Sequence, residues 1–272
     1  DSPLFEKLLS FYILPLDRHK GIYLEACNFL KNNGDVKSVI TTGEPFVLFQ
    51  HGLRLKRKFN LKWVADYRDG WYFNHVNVLE KSLVVNFMRK WEFIIEKRIS
   101  KQADMVVSVD PQIAGRLSEL LDKQTEVIYN GFWDYYLPIS KQHDEVSRDK
   151  TIINHTGTLT PGQELEIFMD SLLELYLKGH LSESNFEFNL IGLEYFPNQM
   201  TRLLPYDEIL NKIVFTTPRI PKEKAVEMNM KANYLLNFTD PNLSAIYAKT
   251  YDYIACRKPI LVIPGDKSLL ES

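Results

Sequence analysis

Short apolar runs alternate with amphipathic segments along most of the chain, and this alternation predicts strands separated by helices. The predicted strands of the first half are 38–42, 61–66, 104–109 and 126–129. Those of the second half are 151–155, 186–192, 212–215, 234–238 and 260–263. Helical spacing lies between them, as over 82–99, 164–177 and 221–230. This order of elements is typical of α/β domains built on a doubly wound parallel sheet.

Residues 137–149 interrupt the alternation, because they are mostly polar and show no apolar period. Such a composition is typical of a hinge or linker. We therefore expect two α/β domains, one over residues 1–136 and one over residues 150–272, each of ordinary domain size.

The stretch 244–263 predicts a helix that leads directly into a buried strand. Ile246, Tyr253 and Ile254 fall at roughly helical spacing and should face the core. The unbroken apolar run 260–263 is what a parallel strand covered on both faces requires.

Lys249 and Asp252 lie three residues apart in this predicted helix, so they should share one of its faces. An ammonium group can bind phosphate and a carboxylate can accept hydrogen bonds from sugar hydroxyls. The pair therefore suits a phosphorylated ligand that carries a ribose. The same spacing fits an ordinary surface ion pair, and both interpretations stay open at this point.

The composition argues against some classes of function but does not identify one. The chain has 272 residues, of which 45% are hydrophobic and 25% charged, and its formal net charge is −2. A chain this close to neutral lacks the broad basic field typical of nucleic-acid binding proteins. No signal peptide is visible in these 272 residues and no apolar run of about 18 residues occurs, so we expect no membrane-spanning helix among them.

The cysteines and histidines do not form a recognisable metal site. Cys27 and Cys256 are far apart in apolar helical patterns, so we expect buried free thiols in a reducing compartment. His51, His75 and His155 are scattered, and we expect them to pack or to lie on the surface rather than to catalyse. Because no cluster of metal ligands stands out, we expect chemistry that needs no metal.

Five short blocks follow predicted strands or lie in the predicted C-terminal helix. They are Thr41-Thr42-Gly43-Glu44-Pro45, Asp66-Tyr67-Arg68-Asp69-Gly70-Trp71, Tyr129-Asn130-Gly131-Phe132, His155-Thr156-Gly157-Thr158-Leu159 and Lys249-Thr250-Tyr251-Asp252-Tyr253-Ile254-Ala255-Cys256-Arg257-Lys258-Pro259-Ile260. In this order they resemble the motifs of retaining GT-B glycosyltransferases of family 4. The resemblance implies a GT-B fold, in which two Rossmann-like, doubly wound parallel-sheet domains face a cleft.

The resemblance also implies how the donor would be bound. The glycine turn at Gly157 and Thr158 would bind a diphosphate together with Lys249, because backbone N–H groups and a helix N-terminus can approach phosphate there. Arg219 and Ile220 stand where relatives hold the nucleotide base; the alternative is an exposed loop arginine.

Further roles follow from the same resemblance. Asp252 falls where an acid of the family binds the ribose, and Ser244 stands eight residues earlier, where another acid is usual. Asp66 and Arg68 follow a predicted strand, at the edge of the sheet where ligands bind. They could contact the acceptor and take part in catalysis, or form an ion pair that holds the end of the strand.

The implied reaction moves a hexosyl group, with retention, from a nucleotide-diphosphate sugar to an acceptor hydroxyl. The acceptor would be a carbohydrate or a lipid-linked glycan in polysaccharide or glycan biosynthesis. We expect no metal, no cofactor besides the donor and no nucleic-acid partner. The expected location is the cytoplasm, with peripheral contact at the inner face of the membrane, and the C-terminal domain is expected to continue past residue 272.

Two other functions stay open on the sequence. A GT-B nucleotide-sugar epimerase would need general acids and bases near the sugar. A non-catalytic GT-B protein that binds a sugar, a nucleotide or a partner subunit would suit the serine at 244 and the lack of a basic residue at 160–163.

Overall fold

The computed structural model describes residues 19–72, 83–133, 149–195, 197–239 and 247–265. The chain divides into two compact units, residues 1–129 and 130–272. Residues 137–148 of the predicted linker lie outside the described residues, as do His75, Ser244 and Ile246.

The N-terminal unit is built on a parallel sheet with the strand order β1-β2-β3-β4. Its strands are β1 (Ser38–Gly43), β2 (Lys62–Tyr67), β3 (Met105–Ser108) and β4 (Glu126–Val127). Its helices are α1 (Lys20–Asn32), α2 (Val47–Phe59), α3 (Leu83–Ser100) and α4 (Pro111–Leu121). Each predicted strand of this half is present, although β4 is two residues shorter than predicted.

The core of this unit depends on a close approach of α2 to the sheet. Trp63 of β2 is fully buried, and its indole N–H donates a hydrogen bond to the Thr41 hydroxyl at 2.8 Å. Gly52 of α2 lies against the same ring, so that a Cβ atom built there would come within 2.3 Å of the indole nitrogen. A residue larger than glycine at 52 therefore does not fit without a shift of the helix or the ring.

Local signals set the N-terminus of α4. Asp110 caps its N-terminus by accepting hydrogen bonds from the backbone N–H groups of Gln112 and Ile113, at 2.7 and 3.2 Å. Pro111 occupies the first turn, where a missing N–H leaves no bond unmade.

The C-terminal unit carries a second parallel sheet with the strand order β7-β6-β5-β8-β9. Its strands are β5 (Thr151–Thr156), β6 (Phe186–Ile191), β7 (Val214–Thr217), β8 (Tyr234–Phe238) and β9 (Ile260–Ile263). The helices are α5 (Leu165–Leu177), α6 (Pro197–Met200), α7 (Lys222–Lys231) and α8 (Ala248–Cys256), with 3₁₀ turns at Leu193–Tyr195 and Thr201–Tyr206. Counted within the unit, this is the 3-2-1-4-5 order of a Rossmann fold, which reverses direction between β5 and β8.

Two expectations for the stretch 244–263 were wrong. Ile254 is 46% exposed, because the buried stripe of α8 runs through Thr250 and Tyr253, and the next residue along a helix points about 100° away. The strand β9 is half-buried throughout rather than covered on both faces, since it is the last strand of the described sheet and pairs only with β8.

The predicted strand 212–215 begins two residues later, at Val214. The backbone N–H groups of Lys212 and Ile213 donate to the carbonyl of Ile209, so they belong to a turn and not to the ladder. The helical turns between residues 193 and 206 were not predicted at all.

Both cysteines are buried and free, as expected. Among the described helices, every one is too short or too polar to cross a bilayer.

The packing of α2 on Trp63 predicts opposite effects for two glycine substitutions within helices. Gly52→Ala should destabilise the protein by about 1–3 kcal/mol, because the new methyl group overlaps a buried ring. Gly115→Ala in α4 is the matched control: its Cβ meets nothing within 4 Å, so the better helix propensity of alanine should stabilise the protein by about 0.5–1 kcal/mol. Urea denaturation of both variants measures these free energies. Equal effects would show that α2 and Trp63 are not packed as described.

Candidate functional site

Three strand ends of the C-terminal sheet meet at its carboxyl edge. Gly157 follows β5 with φ of +98° and Gly192 follows β6 with φ of +87°, a conformation that favours glycine. A Cβ atom built on Gly192 would lie 3.8 Å from the Cα atom of Arg219 and 3.9 Å from that of Gly157. The backbones at Gly157, Gly192 and Arg219 therefore lie close together, and the two glycines add no side chains there.

The backbone N–H of Gly157 is not available to a ligand. It donates to the carbonyl of Ile191 at 2.8 Å, and the N–H of Gly192 donates to the carbonyl of Thr217 at the same distance. These bonds extend the parallel ladder by one residue. Within the described ranges no acceptor meets the N–H of Thr158, so the first backbone donor free for an anion comes one residue later than the glycine.

Lys249 stands in the first turn of α8 and reaches this turn of the chain. Its Nζ atom donates to the carbonyl of Thr158 at 3.2 Å and lies 3.2 Å from Nε2 of His155. It lies 3.6 Å from the position a Cβ atom of Gly157 would take. Among the described residues no carboxylate forms an ion pair with it.

Burial lowers the pKa of Lys249 to about 7. The physical cause is that an ammonium group loses its water here without gaining a carboxylate. Near neutral pH the site therefore holds a mixture of amine and ammonium, and an anion placed beside Nζ would favour the charged form.

His155 is the site residue that sequence reasoning missed. It is fully buried in β5, where its ring packs against Phe238 at 5.1 Å between centroids. Its pKa is held well below the ordinary value by burial first and by the Lys249 charge second. The expectation that His155 packs is correct, but the ring also contacts the candidate phosphate ligand Lys249.

Two polar groups fix the loop between β5 and α5. The Gln163 side chain donates to the carbonyl of Phe238 and accepts from the Thr160 N–H at 2.8 Å. Arg202 donates to the carbonyl of Gln163 at 2.6 Å and pairs with Glu166. Arg202 is thus occupied in holding the loop, and no sequence signal connected it to residues almost forty positions earlier.

Asp252 does not share a partner with Lys249. Its carboxylate pairs with Nζ of Lys222 on α7 at 3.0 Å, and the Asp252 side chain is 22% exposed. The ion pair between Lys249 and Asp252 that we considered is therefore not formed, since Asp252 pairs with Lys222 and Lys249 points to the Gly157 turn.

Of the candidate residues that follow β7, Arg219 lies beside Gly192. The backbone N–H of Arg219 donates to the carboxylate of Glu194, which sequence reasoning did not single out. The Arg219 side chain is exposed and Ile220 is half-buried.

Asp66 and Arg68 lie in the N-terminal unit, at the end of β2. One oxygen of the buried Asp66 accepts from the Thr42 hydroxyl and from Nε of Arg68, both at 3.0 Å. This matches the ion pair that we considered for the end of the strand. Nearby, burial raises the pKa of Glu96 to about 8, and Glu96 accepts from the N–H of Tyr72 at 2.9 Å, which fixes the segment after Arg68.

In the described part of the chain, no group of three or more His, Cys, Asp or Glu side chains is arranged to hold a metal ion.

Comparison with known proteins identifies the fold of this chain. No protein-family model matches the chain, and no curated protein matches it by sequence. Among solved structures, the E. coli protein described as trehalose-6-phosphate bound with UDP-2-fluoro glucose is 13% identical, with a TM-score of 0.60 over 93% of this chain and 65% of that one. The lipopolysaccharide outer core galactosyltransferase WaaB is 13% identical, with a TM-score of 0.52 over 93% of this chain and 64% of that one.

The same fold occurs in an enzyme of another class. UDP-GlcNAc 2-epimerase from Methanocaldococcus jannaschii is 8% identical, with a TM-score of 0.51 over 93% of this chain and 68% of that one. The chain spans only 59% and 60% of the length of two further structures that it matches. The chain thus has the GT-B fold of these glycosyltransferases, with two Rossmann-like units, as expected from the sequence.

The desolvation of Lys249 without a described carboxylate partner predicts that this residue lowers the free energy of unfolding. Because its pKa of about 7 lies below the 10.5 of a free lysine, the unfolded chain binds more protons between these pH values. The stability of the wild type should therefore fall as the pH decreases from about 10 to about 7. Lys249→Met should be more stable than the wild type by ~2 kcal/mol at pH 6, a figure that allows for solvent around a partly exposed side chain, and the gain should disappear near pH 10.

Denaturant unfolding as a function of pH measures this difference without any ligand. Lys224→Met, which removes an exposed lysine from α7, is the control and should show no such gain. A loss of stability in Lys249→Met at pH 6 would mean that Lys249 is a structural residue.

Proposed function

We propose that this GT-B chain is a retaining glycosyltransferase of the family 4 type, which binds a nucleotide-diphosphate sugar at the carboxyl edge of its C-terminal sheet. The observation that carries the proposal is the ammonium of Lys249. It lies beside the Gly157 turn with no carboxylate partner among the described residues. Its place next to β5, where the strand order reverses, is where α/β sheets bind ligands.

The proposed mechanism is electrostatic. When the sugar leaves, negative charge develops on the diphosphate oxygens. Lys249 and the N–H of Thr158 would stabilise that charge because they are fixed in place and partly shielded from water. A largely desolvated lysine without a carboxylate partner is well suited to this task, since its interaction with the anion strengthens as charge grows.

The remaining candidates would bind the rest of the donor. Asp252 would exchange its ion pair with Lys222 for the ribose hydroxyls, and Arg219 with Ile220 would contact the base. Ser244, which lies outside the described residues, is our remaining candidate for binding the donor. Asp66 and Arg68 would bind the acceptor, a carbohydrate or lipid-linked glycan in polysaccharide biosynthesis in the cytoplasm, and no metal or further cofactor takes part.

Peripheral contact with a membrane is part of the same proposal, and one surface of the N-terminal unit supports it. Arg54 and Arg57 of α2 and Arg98 of α3 line one cavity of about 400 Å³. No ion pair neutralises these three arginines within the described residues. Trp91 and Ile94, which precede Arg98 by seven and four residues in α3, are 45% and 55% exposed. Cations together with exposed apolar side chains are typical of surfaces that bind anionic lipid.

The proposed activity can be tested in two steps. A thermal-shift panel of UDP-, GDP- and ADP-sugars should identify a donor that stabilises the fold. Calorimetry with that donor should then show binding at least ~10-fold weaker in Lys249→Ala, because a charge-assisted contact to phosphate is lost. Lys224→Ala should bind like the wild type.

The products distinguish the three functions considered. Transfer to an acceptor with the anomeric configuration retained, followed by NMR, supports the proposal. An epimer formed without acceptor would assign the chain to the chemistry of the epimerase neighbour. Binding with neither transfer, hydrolysis nor epimerisation would make this a non-catalytic binding protein.

The arginine surface predicts binding to acidic membranes. Wild-type protein should cosediment with vesicles of equal parts phosphatidylglycerol and phosphatidylcholine, but not with pure phosphatidylcholine, and salt should weaken the binding. The triple substitution Arg54→Gln, Arg57→Gln and Arg98→Gln should weaken it by ~100-fold, since each cation near such a surface contributes ~1 kcal/mol. The control with the same change of charge is Lys178→Gln, Lys212→Gln and Lys231→Gln on the C-terminal unit. An equal loss in both variants would contradict a specific surface.

A further inference from the structure

His155 is fully buried, and each of its two ring nitrogens contacts a polar group. Nδ1 lies 2.9 Å from the carbonyl of Leu236 on β8, and Nε2 lies 3.2 Å from Nζ of Lys249 on α8. The ring thus bridges the strand next to the reversal of strand order and the lysine that faces the Gly157 turn.

The carbonyl of Leu236 decides the tautomer of the ring. A carbonyl oxygen can only accept, so the Leu236 contact assigns the proton to Nδ1 and leaves the lone pair of Nε2 for Lys249, while the Gly157 backbone also interacts with the ring. Burial and the adjacent lysine both keep the pKa of His155 low, so the ring stays neutral in this position. Lys249 therefore meets two acceptors, the imidazole and the carbonyl of Thr158, and both favour its charged form only moderately.

We propose that His155 is a positioning residue that holds the Lys249 amine beside the Gly157 turn, and that binding of a nucleotide-diphosphate sugar is coupled to the uptake of one proton by that amine. This inference rests on the proposed function of the site. The proton comes from solvent and joins the nitrogen lone pair of Lys249, no other bond forms or breaks, and His155 keeps its single proton on Nδ1.

The other charged and titratable groups around the pair do not supply this proton. On α8, Asp252 is paired with Lys222 of α7, and burial raises the pKa values of Tyr253 and Cys256 to about 12. Beyond β6, the Glu194 carboxylate accepts from the backbone of Arg219. From the loop after β5, the neutral Gln163 faces Phe238.

If ligand binding is coupled to proton uptake by Lys249, the affinity should depend on pH. A lysine that is always charged would bind phosphate without this dependence. UDP-glucose serves as the probe, because its diphosphate does not titrate near neutral pH. Calorimetry at pH 8 in two buffers of different ionisation enthalpy should show the uptake of nearly one proton per bound ligand, and at pH 6 almost none. The affinity should fall by up to ~10-fold for each pH unit above about 7.

Two variants separate positioning from mere packing. His155→Phe keeps the ring volume against Phe238 but removes both nitrogens, and the Tyr253 hydroxyl still donates to the carbonyl of Leu236 at 3.4 Å. Without an acceptor at Nε2, the ammonium of Lys249 loses a hydrogen bond, so its titration should move to lower pH and binding at pH 8 should weaken by ~10-fold. His155→Gln offers an amide oxygen instead and should recover most of the affinity and the titration midpoint.

The titration of Lys249 can also be followed without ligand, by NMR of protein carrying ¹³C-labelled lysine, with Lys249→Met to assign the signal. A midpoint that is the same in the wild type and in His155→Phe would overturn the inference, whatever the protein binds. Binding of UDP-glucose without proton uptake at pH 8 would overturn the coupling and leave the proposed function intact. If no nucleotide sugar of the panel binds at any pH, the proposed function fails, and the coupling fails with it.

Discussion

The candidate site depends on one unfavourable placement, a lysine amine set among backbone groups with no carboxylate to balance it. Folding gains little from burying Lys249, since desolvation lowers its pKa to about 7 and its partners are an imidazole and a carbonyl. Lysines whose pKa is shifted in this way are concentrated at functional sites, where an anion can balance the charge. The diphosphate of a nucleotide sugar is the anion that we propose for this position.

The Rossmann order of the second sheet explains why the lysine lies where it does. The strand order reverses between β5 and β8, and the carboxyl ends of two such strands are where parallel sheets generally form a ligand-binding crevice. The helix α8 begins beside this edge of the sheet. Gly157 and Gly192 keep that crevice free of side chains, and their positive φ values let the chain turn away directly after each strand. The backbone conformation at the two glycines thus leaves space for a ligand, and the Lys249 side chain supplies a positive charge.

The polar network around the crevice fixes it before a ligand binds. The Tyr253 hydroxyl accepts from the N–H of Thr156 at 2.8 Å, Gln163 ties the loop after β5 to Phe238, and His155 ties β8 to Lys249. Each bond spans more than 70 residues of sequence and satisfies a group that would otherwise be buried without a partner. A site held this way stabilises charge at little reorganisation cost.

The sequence alone determined the elements and the candidates that lie next to them. Apolar runs are local signals, so the bounds of β8 and β9 and the turn at Gly157 could be predicted. Only the tertiary structure decided the partners: that His155 meets Leu236 81 residues later, that Asp252 pairs with Lys222, and that Ile254 faces solvent. The reason is that periodicity records which residues prefer burial, whereas hydrogen bonds between strands and helices depend on register and crossover, which no local pattern encodes.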